Sequence, residues 1–301
     1  MTILITGGNG LIGKLLVKKL KDKNHEVRIL TRKKSNNPEE FHWNPDKRFI
    51  DDKAFENVDS IIHLAGANIN KKWTENYKKE LFSSRIDTAN LLIHYCTKNH
   101  IRLKSFISAS GINYYGTFIS DEILDENSGI IKKDFLAKLC EEWENAADNF
   151  SETADRIVCL RTSMVLAKNG GGFPMLKKTV DFNIGSAIGS GKQWMNWIHI
   201  HDLIDMYIFV LENPAIKGKF NAVADEIPTN QDFMKTLAKC SRKFFLPMNV
   251  PAFLMKIIFG EMSSIILQGT RSCNKKIKSE GFDFQYPTLN KAFKELLGSE
   301  S

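Results

Sequence analysis

Apolar residues recur along this chain with two periods. Thr2-Ile3-Leu4-Ile5 is a short β-branched and aliphatic run that predicts a buried strand. Leu11, Ile12, Leu15, Leu16 and Leu20 then follow at helical spacing, and Val27-Arg28-Ile29-Leu30 predicts a second strand. Val58 to Gly66 reads as a buried strand ending in small residues. Ser84 to Asn99 reads as a helix with Ile86, Leu91, Leu92 and Cys96 on related faces. Lys104 to Ser110 reads as a strand, Phe135 to Phe150 as a helix and Arg156 to Arg161 as a further strand. Strands that alternate with helices predict a parallel sheet covered on both faces. Right-handed crossovers make that sheet a doubly wound α/β fold.

The pattern changes after Val165. Gly170-Gly171-Gly172-Phe173-Pro174 and the glycine-rich stretch from Gly185 to Lys192 predict loops. From Ala222 onward the chain reads as mostly helical or irregular. The expected division is a sheet domain of residues 1–165 plus 195–225 and a smaller lobe of residues 166–194 plus 226–301, with the ligand cleft between them. The most apolar stretch of the second half, Val250 to Leu267, contains Pro251, Lys256 and Glu261. It is too interrupted to span a membrane and predicts a buried or lid-forming helix pair.

Composition narrows the class. With 43% hydrophobic and 26% charged residues in 301, the chain is an ordinary folded protein with material for a sizeable core. The net charge of +7 comes from lysines scattered among acids, which predicts solvated helix faces. No recognition-helix, zinc-finger or RNA-binding aromatic signature is present, so no nucleic-acid partner is expected. Neither is a membrane partner, with surface binding a secondary alternative. Cys96, Cys140, Cys159, Cys240 and Cys273 are dispersed without a Cys-x-x-Cys, which fits a reduced, cytoplasmic setting. The first strand begins at Thr2 and leaves no room for a signal peptide.

Between the first strand and the first helix stands Gly7-Gly8-Asn9-Gly10-Leu11-Ile12-Gly13. Gly7 suits a turn with backbone angles closed to other residues, Gly10 a close approach of a pyrophosphate, and Gly13 tight packing of helix on strand. The helix start offers free N–H groups to the phosphates. The chain therefore carries a dinucleotide-binding turn. NAD-selective proteins place an acid at the end of the second strand; here Leu30-Thr31-Arg32-Lys33-Lys34 offers none. Arg32 suits a 2′-phosphate, which favours NADP over NAD. The expected cofactor contacts are Gly7, Asn9, Gly10, Leu11, Ile12, Gly13, Thr31 and Arg32, with Leu64, Ala65 and Gly66 along the adenine–ribose side.

Further segments extend the pattern: His63-Leu64-Ala65-Gly66-Ala67, Trp73-Thr74, Ser84-Arg85-Ile86-Asp87-Thr88, Ser108-Ala109-Ser110, Tyr114-Tyr115-Gly116, Asp134-Phe135-Leu136-Ala137, Trp143-Glu144, Leu160-Arg161-Thr162, Gly189 to Met195, Gly260-Glu261-Met262 and Gly281 to Pro287. On these residues the chain resembles the extended short-chain dehydrogenase/reductase superfamily. Within it, the chain is similar to the NAD-dependent epimerase/dehydratase family proteins that have a C-terminal segment of unassigned role. The resemblance implies an NADP-binding Rossmann core, a small C-terminal lobe and a homodimer formed through the helices Ser84–Asn99 and Phe135–Phe150.

Active members of that superfamily use Tyr-x-x-x-Lys on one helix face. Here the helix reads Phe135-Leu136-Ala137-Lys138-Leu139-Cys140, and no other Tyr-x-x-x-Lys occurs. Replacement candidates are Ser110, which matches the Ser/Thr that holds the reacting oxygen, and Tyr114 or Tyr115 at the sheet edge where ligands bind. Arg161 faces the cofactor or substrate, or joins an ion pair. Lys192, Gln193 and Trp194 form a ligand wall or a plain surface loop. Asp121-Glu122 and Asp125-Glu126 read as an exposed acidic loop. His199 and His201 read as a structural pair, since a metal site would need a third ligand. Two functions remain: an NADP-dependent oxidoreductase or epimerase acting on a small polar molecule, and a non-catalytic NADPH sensor or scaffold.

Overall fold

The computed structural model describes residues 1–298. Eight strands form the central sheet, in the spatial order Gly218–Ala222, Ile157–Thr162, Ser105–Gly111, Ser60–His63, Thr2–Thr6, Glu26–Thr31, Glu40–Asn44 and Phe49–Ile50. Every pairing is parallel except the last, a short antiparallel addition. The chain winds outward from the first strand in one direction, then returns to its other side with Ser60–His63. That reversal creates the crevice at which open α/β sheets bind ligands.

Period-two alternation within the strands explains the two layers. Ile3 and Ile5 join a core with Leu16, Val17 and Leu20 of the Leu11–Asp22 helix and Leu203, Met206 and Tyr207 of the Ile200–Glu212 helix. Leu4 joins the opposite core with Leu91, Leu92 and Cys96 of the Ile86–Lys98 helix and Ala146 and Ala147 of the Phe135–Asp148 helix.

Three expectations change. The boundary set at residue 165 cuts a continuous strand, Met164–Ala167, which pairs with Gly170–Gly171 and with Trp197–His199. The acidic stretch after Ile119 is not a loop up to Leu124: Ile119–Leu124 is a strand paired in parallel with Gly269–Ser272, a partner far away in sequence. The helix Ala252–Phe259 is not buried, for none of its eight residues is. At its far end Phe259, and Met262 just beyond it, pack near Trp73, Leu81, Leu136 and Leu139.

Candidate functional site

The crevice is built around the first glycine turn. Gly7 has φ of 70°, and a Cβ there would lie 2.9 Å from the Leu64 carbonyl. At Gly13 a Cβ would lie 2.2 Å from the Gly7 oxygen, so the helix start presses directly on the turn. Gly10 differs: a Cβ would meet only the Gly7 oxygen, at 3.2 Å. Gly10 caps the Leu11–Asp22 helix with no side-chain hydrogen bond and no acid in the first turn. The N–H groups of Leu11 and Ile12 are therefore left for an external acceptor.

Buried hydrogen bonds lock this turn to the next strand. Thr6 Oγ1 accepts from the backbone N–H groups of Leu64 (3.1 Å) and Ala65 (3.0 Å). Its own proton points at His63 Nδ1, 2.8 Å away. His63 Nε2 then donates to the Arg85 carbonyl at 3.1 Å. Complete burial pushes the His63 imidazole down to about 4. Arg85 is itself buried and donates to the carbonyls of Leu81 and Ala67. Its guanidinium lies against Gly66, where a Cβ would come within 2.9 Å of Cζ, and over the Trp143 ring at 4.8 Å. Gly66 thus makes room for Arg85, a role its sequence context did not signal.

Thr31 ends the second strand and Arg32 follows it; Thr31 Oγ1 accepts from Lys33 N at 3.3 Å. Arg32 is exposed. An acid nonetheless reaches this neighbourhood. Glu40, on the strand beyond, accepts a 3.3 Å hydrogen bond from Asn9 Nδ2 in the glycine turn. Reading only the end of the second strand missed it, because the carboxylate comes from the next strand.

The structure brings together the candidates at the end of Ser105–Gly111, but around a residue not singled out for chemistry. Glu144 is buried on the Phe135–Asp148 helix. It pairs bidentately with Arg161, Nε to Oε1 at 2.8 Å and Nη2 to Oε2 at 2.9 Å. Ser110 Oγ donates to the same Glu144 Oε1 at 2.8 Å. Arg161 Nη1 donates to the Tyr115 hydroxyl at 3.1 Å, and that hydroxyl donates to Asn221 Oδ1 at 2.8 Å. Tyr115 is fully buried, and burial pushes its phenol up to about 12. Burial opposes the Arg161 charge, but Glu144 more than offsets it and holds the guanidinium protonated beyond its usual range.

These contacts correct two expectations. Arg161 takes the ion-pair alternative, with Nε and Nη2 on Glu144 and Nη1 on Tyr115. Tyr115 is a structural phenol whose hydroxyl is already satisfied. Tyr114 is only half-buried, with the Arg161 guanidinium 3.5 Å from its ring centre. Leu136, Cys140 and Glu144 fall at four-residue steps along one buried helix stripe. A lone acid on such a stripe was the sequence signal for a buried cationic partner.

Several other candidates are held by hydrogen bonds to neighbours. Gln193 donates from Nε2 to the carbonyls of Ile188 and Ile266, and Trp194 Nε1 donates to Asp121 at 3.1 Å, so this loop is stapled rather than open. Glu126 accepts from Asn221 N at 2.7 Å, and burial raises its carboxyl. His199 Nδ1 accepts from His201 N, and Nε2 donates to Glu295 at 3.0 Å. Burial takes His199 down to about 4, against the pull of Glu295.

Known proteins match this geometry. The NAD dependent epimerase/dehydratase family matches residues 3–223, and a domain of unknown function, DUF1731, matches residues 250–296. An epimerase family protein of Staphylococcus haemolyticus is 34% identical over 298 residues, covering 98% of each chain. The human epimerase family protein SDR39U1, whose crystal structure is with NADPH, superimposes with a TM-score of 0.88 at 29% identity over 100% of both chains. UDP-glucuronic acid 4-epimerase from Bacillus cereus shares the fold at a TM-score of 0.75 and 18% identity, also over the whole of both chains. With its glycine turn, doubly wound sheet and C-terminal region matched along nearly the whole length, this chain belongs to the NAD dependent epimerase/dehydratase family.

Proposed function

We propose that the chain binds NADP(H) at the first glycine turn and acts as an oxidoreductase or epimerase-like enzyme on a small polar substrate. The observation that carries this reading is the turn itself. Gly7 and Gly13 have no space for a Cβ, whereas Gly10 and the uncapped helix start are open to a phosphate. The Leu11 and Ile12 N–H groups would hold the pyrophosphate, Thr31 and Arg32 the 2′-phosphate, and Leu64, Ala65 and Gly66 the wall beside the ribose. When bound, the nicotinamide supplies a hydride donor or acceptor.

The chain's own residues handle the proton. Ser110 directs its proton to Glu144, so toward a substrate it can only accept, which suits a hydroxyl. Tyr114 has the phenol that is not tied into the buried network. In carbonyl reduction Tyr114 would give its proton to the carbonyl oxygen. The resulting phenolate lies next to Arg161 and is reprotonated by water.

The test follows reduced-nicotinamide absorbance in NADPH-loaded protein mixed with a metabolite extract. Turnover should fall about a hundredfold or more in Tyr114→Phe, in keeping with loss of a general acid, and should also fall in Ser110→Ala. Unchanged turnover in both variants removes the assignment.

A second reading, a non-catalytic NADPH sensor, is favoured by one observation. Leu136 and Leu139 lie in an apolar cluster with Trp73, Leu81 and Met262, on the turn of the helix where active relatives of the superfamily carry the acid–base pair. Burial also pushes the Cys140 thiol up to about 12, so it offers no charge in place of the lysine. Tight NADPH binding with no turnover in any extract would select this reading.

A further inference from the structure

The chain from Lys239 to Gly260 departs from the rest of the surface. It contains Lys239, Arg242, Lys243 and Lys256 and no acid. All four cations are exposed, and among the described residues none is in an ion pair. Large apolar side chains stand among them. Met248 is 78% exposed, Ile257 75%, Ile258 64%, Phe244 63% and Phe253 60%. The strand Leu246–Val250 pairs with Ser186–Ile188, and Leu246 N donates to the Gly185 carbonyl. That pairing brings exposed Ile184 and Phe182 alongside the same segment.

Exposed large apolar side chains concentrated in one stretch of chain in this way mark an interaction site. Its charge decides the occupant. A second copy docked on the same face would set four unpaired cations against four more, so like charges oppose a symmetric dimer. An anionic bilayer satisfies both features, with aromatic and aliphatic side chains entering the headgroup–acyl boundary while Lys and Arg meet lipid phosphates. The eight-residue Ala252–Phe259 helix is far too short to cross a bilayer, and no helix among the described residues is long and apolar enough to do so. It would lie in the interface. We propose that residues 239–260, with Phe182 and Ile184, form a peripheral docking surface for anionic membranes. This departs from the sequence expectation of no membrane partner, and it stands independently of any catalytic reading.

The test is co-sedimentation of the full chain with vesicles of phosphatidylcholine alone and with vesicles in which about a quarter of the lipid is phosphatidylglycerol. Binding is expected to the anionic vesicles and to weaken on raising the salt. The double variants Phe253→Ser/Ile257→Ser and Arg242→Glu/Lys243→Glu should each bind at least about tenfold more weakly. Unchanged thermal unfolding and NADPH fluorescence check that each variant is folded. The charge-reversal pair touches only exposed side chains and remains informative if the apolar pair fails to fold. No sedimentation with anionic vesicles overturns the proposal, as does equal binding by wild type and the charge-reversal variant. A dimer in ultracentrifugation that Phe253→Ser/Ile257→Ser abolishes, without vesicle binding, also overturns it and assigns the surface to a second copy.

Discussion

The glycine turn after Thr2–Thr6 and the end of the Ser105–Gly111 strand lie at the same edge of the sheet, and they differ in what their polar groups are doing. At the first, side-chain polarity is turned inward through Thr6 and His63, and the backbone N–H groups of the helix start are left unclaimed. At the second, almost every polar group is claimed by a neighbour: Ser110 and Arg161 by Glu144, and Tyr115 by Arg161 and Asn221. One region is built to receive a ligand through backbone geometry. The other is an internally satisfied network beside the helix turn where the superfamily's Tyr-x-x-x-Lys pair would stand. Binding features can therefore persist while the catalytic pair is absent, because the two rest on separate elements.

The largest effect that would sharpen this contrast comes from the closed network. Glu144→Ala leaves Arg161 buried without its carboxylate and should cost about 3–5 kcal/mol in chemical denaturation. The double variant Glu144→Leu/Arg161→Met should recover much of that loss. If Glu144→Ala alone is neutral, the network is not a structural unit.

The next effect concerns His63, whose folded value of about 4 lies below the ordinary 6.5. A histidine held neutral contributes stability that is present above the unfolded value and lost as pH falls toward the folded one. The loss should approach about 3 kcal/mol between pH 6.5 and 4. His199 adds in the same direction. Asp202, raised to about 6 by burial, works the other way and favours the fold as pH drops through that value. Denaturation midpoints measured from pH 7.5 to 4.5 should fall, and His63→Gln should flatten the slope. An unchanged slope in that variant would remove His63 as the source.

At the open region, Arg32→Ala should weaken NADPH by roughly 1.5–3 kcal/mol, the loss of a charge-assisted contact, with little change for NADH. Calorimetry decides it; equal affinities of wild type for both cofactors would end the NADP assignment. Glu40 accepts from Asn9 in the glycine turn, next to the proposed 2′-phosphate site, so Glu40→Gln should shift the preference further toward NADPH.

The smallest stability effect should come from Gly10→Ala, under about 1 kcal/mol, because a Cβ there meets a single oxygen. NADPH affinity should still drop, since the added methyl would stand at the proposed phosphate approach. Loss of stability without loss of affinity would contradict the division of labour among the glycines.

Much of the fold was legible because the sheet declares itself locally. Ile3, Leu4 and Ile5 alternate between the two cores, and the strands Glu26–Thr31, Ser105–Gly111 and Ile157–Thr162 were anticipated within a residue or two, whereas the one expected to run to Gly66 ends at His63. The short strands Glu40–Asn44, Phe49–Ile50 and Ile119–Leu124 were not. Their hydrogen bonds come from partners that a local pattern cannot display, and Ile119 and Ile123 remain half-exposed even when paired.

The sequence by itself determined the alternating architecture and the dinucleotide turn, since both depend on spacings within about a dozen residues. Gly7 and Gly13 are recognisable because the backbone geometry they permit belongs to their own neighbourhood. Only the tertiary structure decided that Glu144 faces Arg161, that Asn221 closes over Tyr115 from 106 residues away, and that Phe253 and Ile257 stay exposed among the described residues. Those outcomes depend on which surfaces meet after the elements have formed. Charge pairing and burial are properties of the meeting, not of the residues alone.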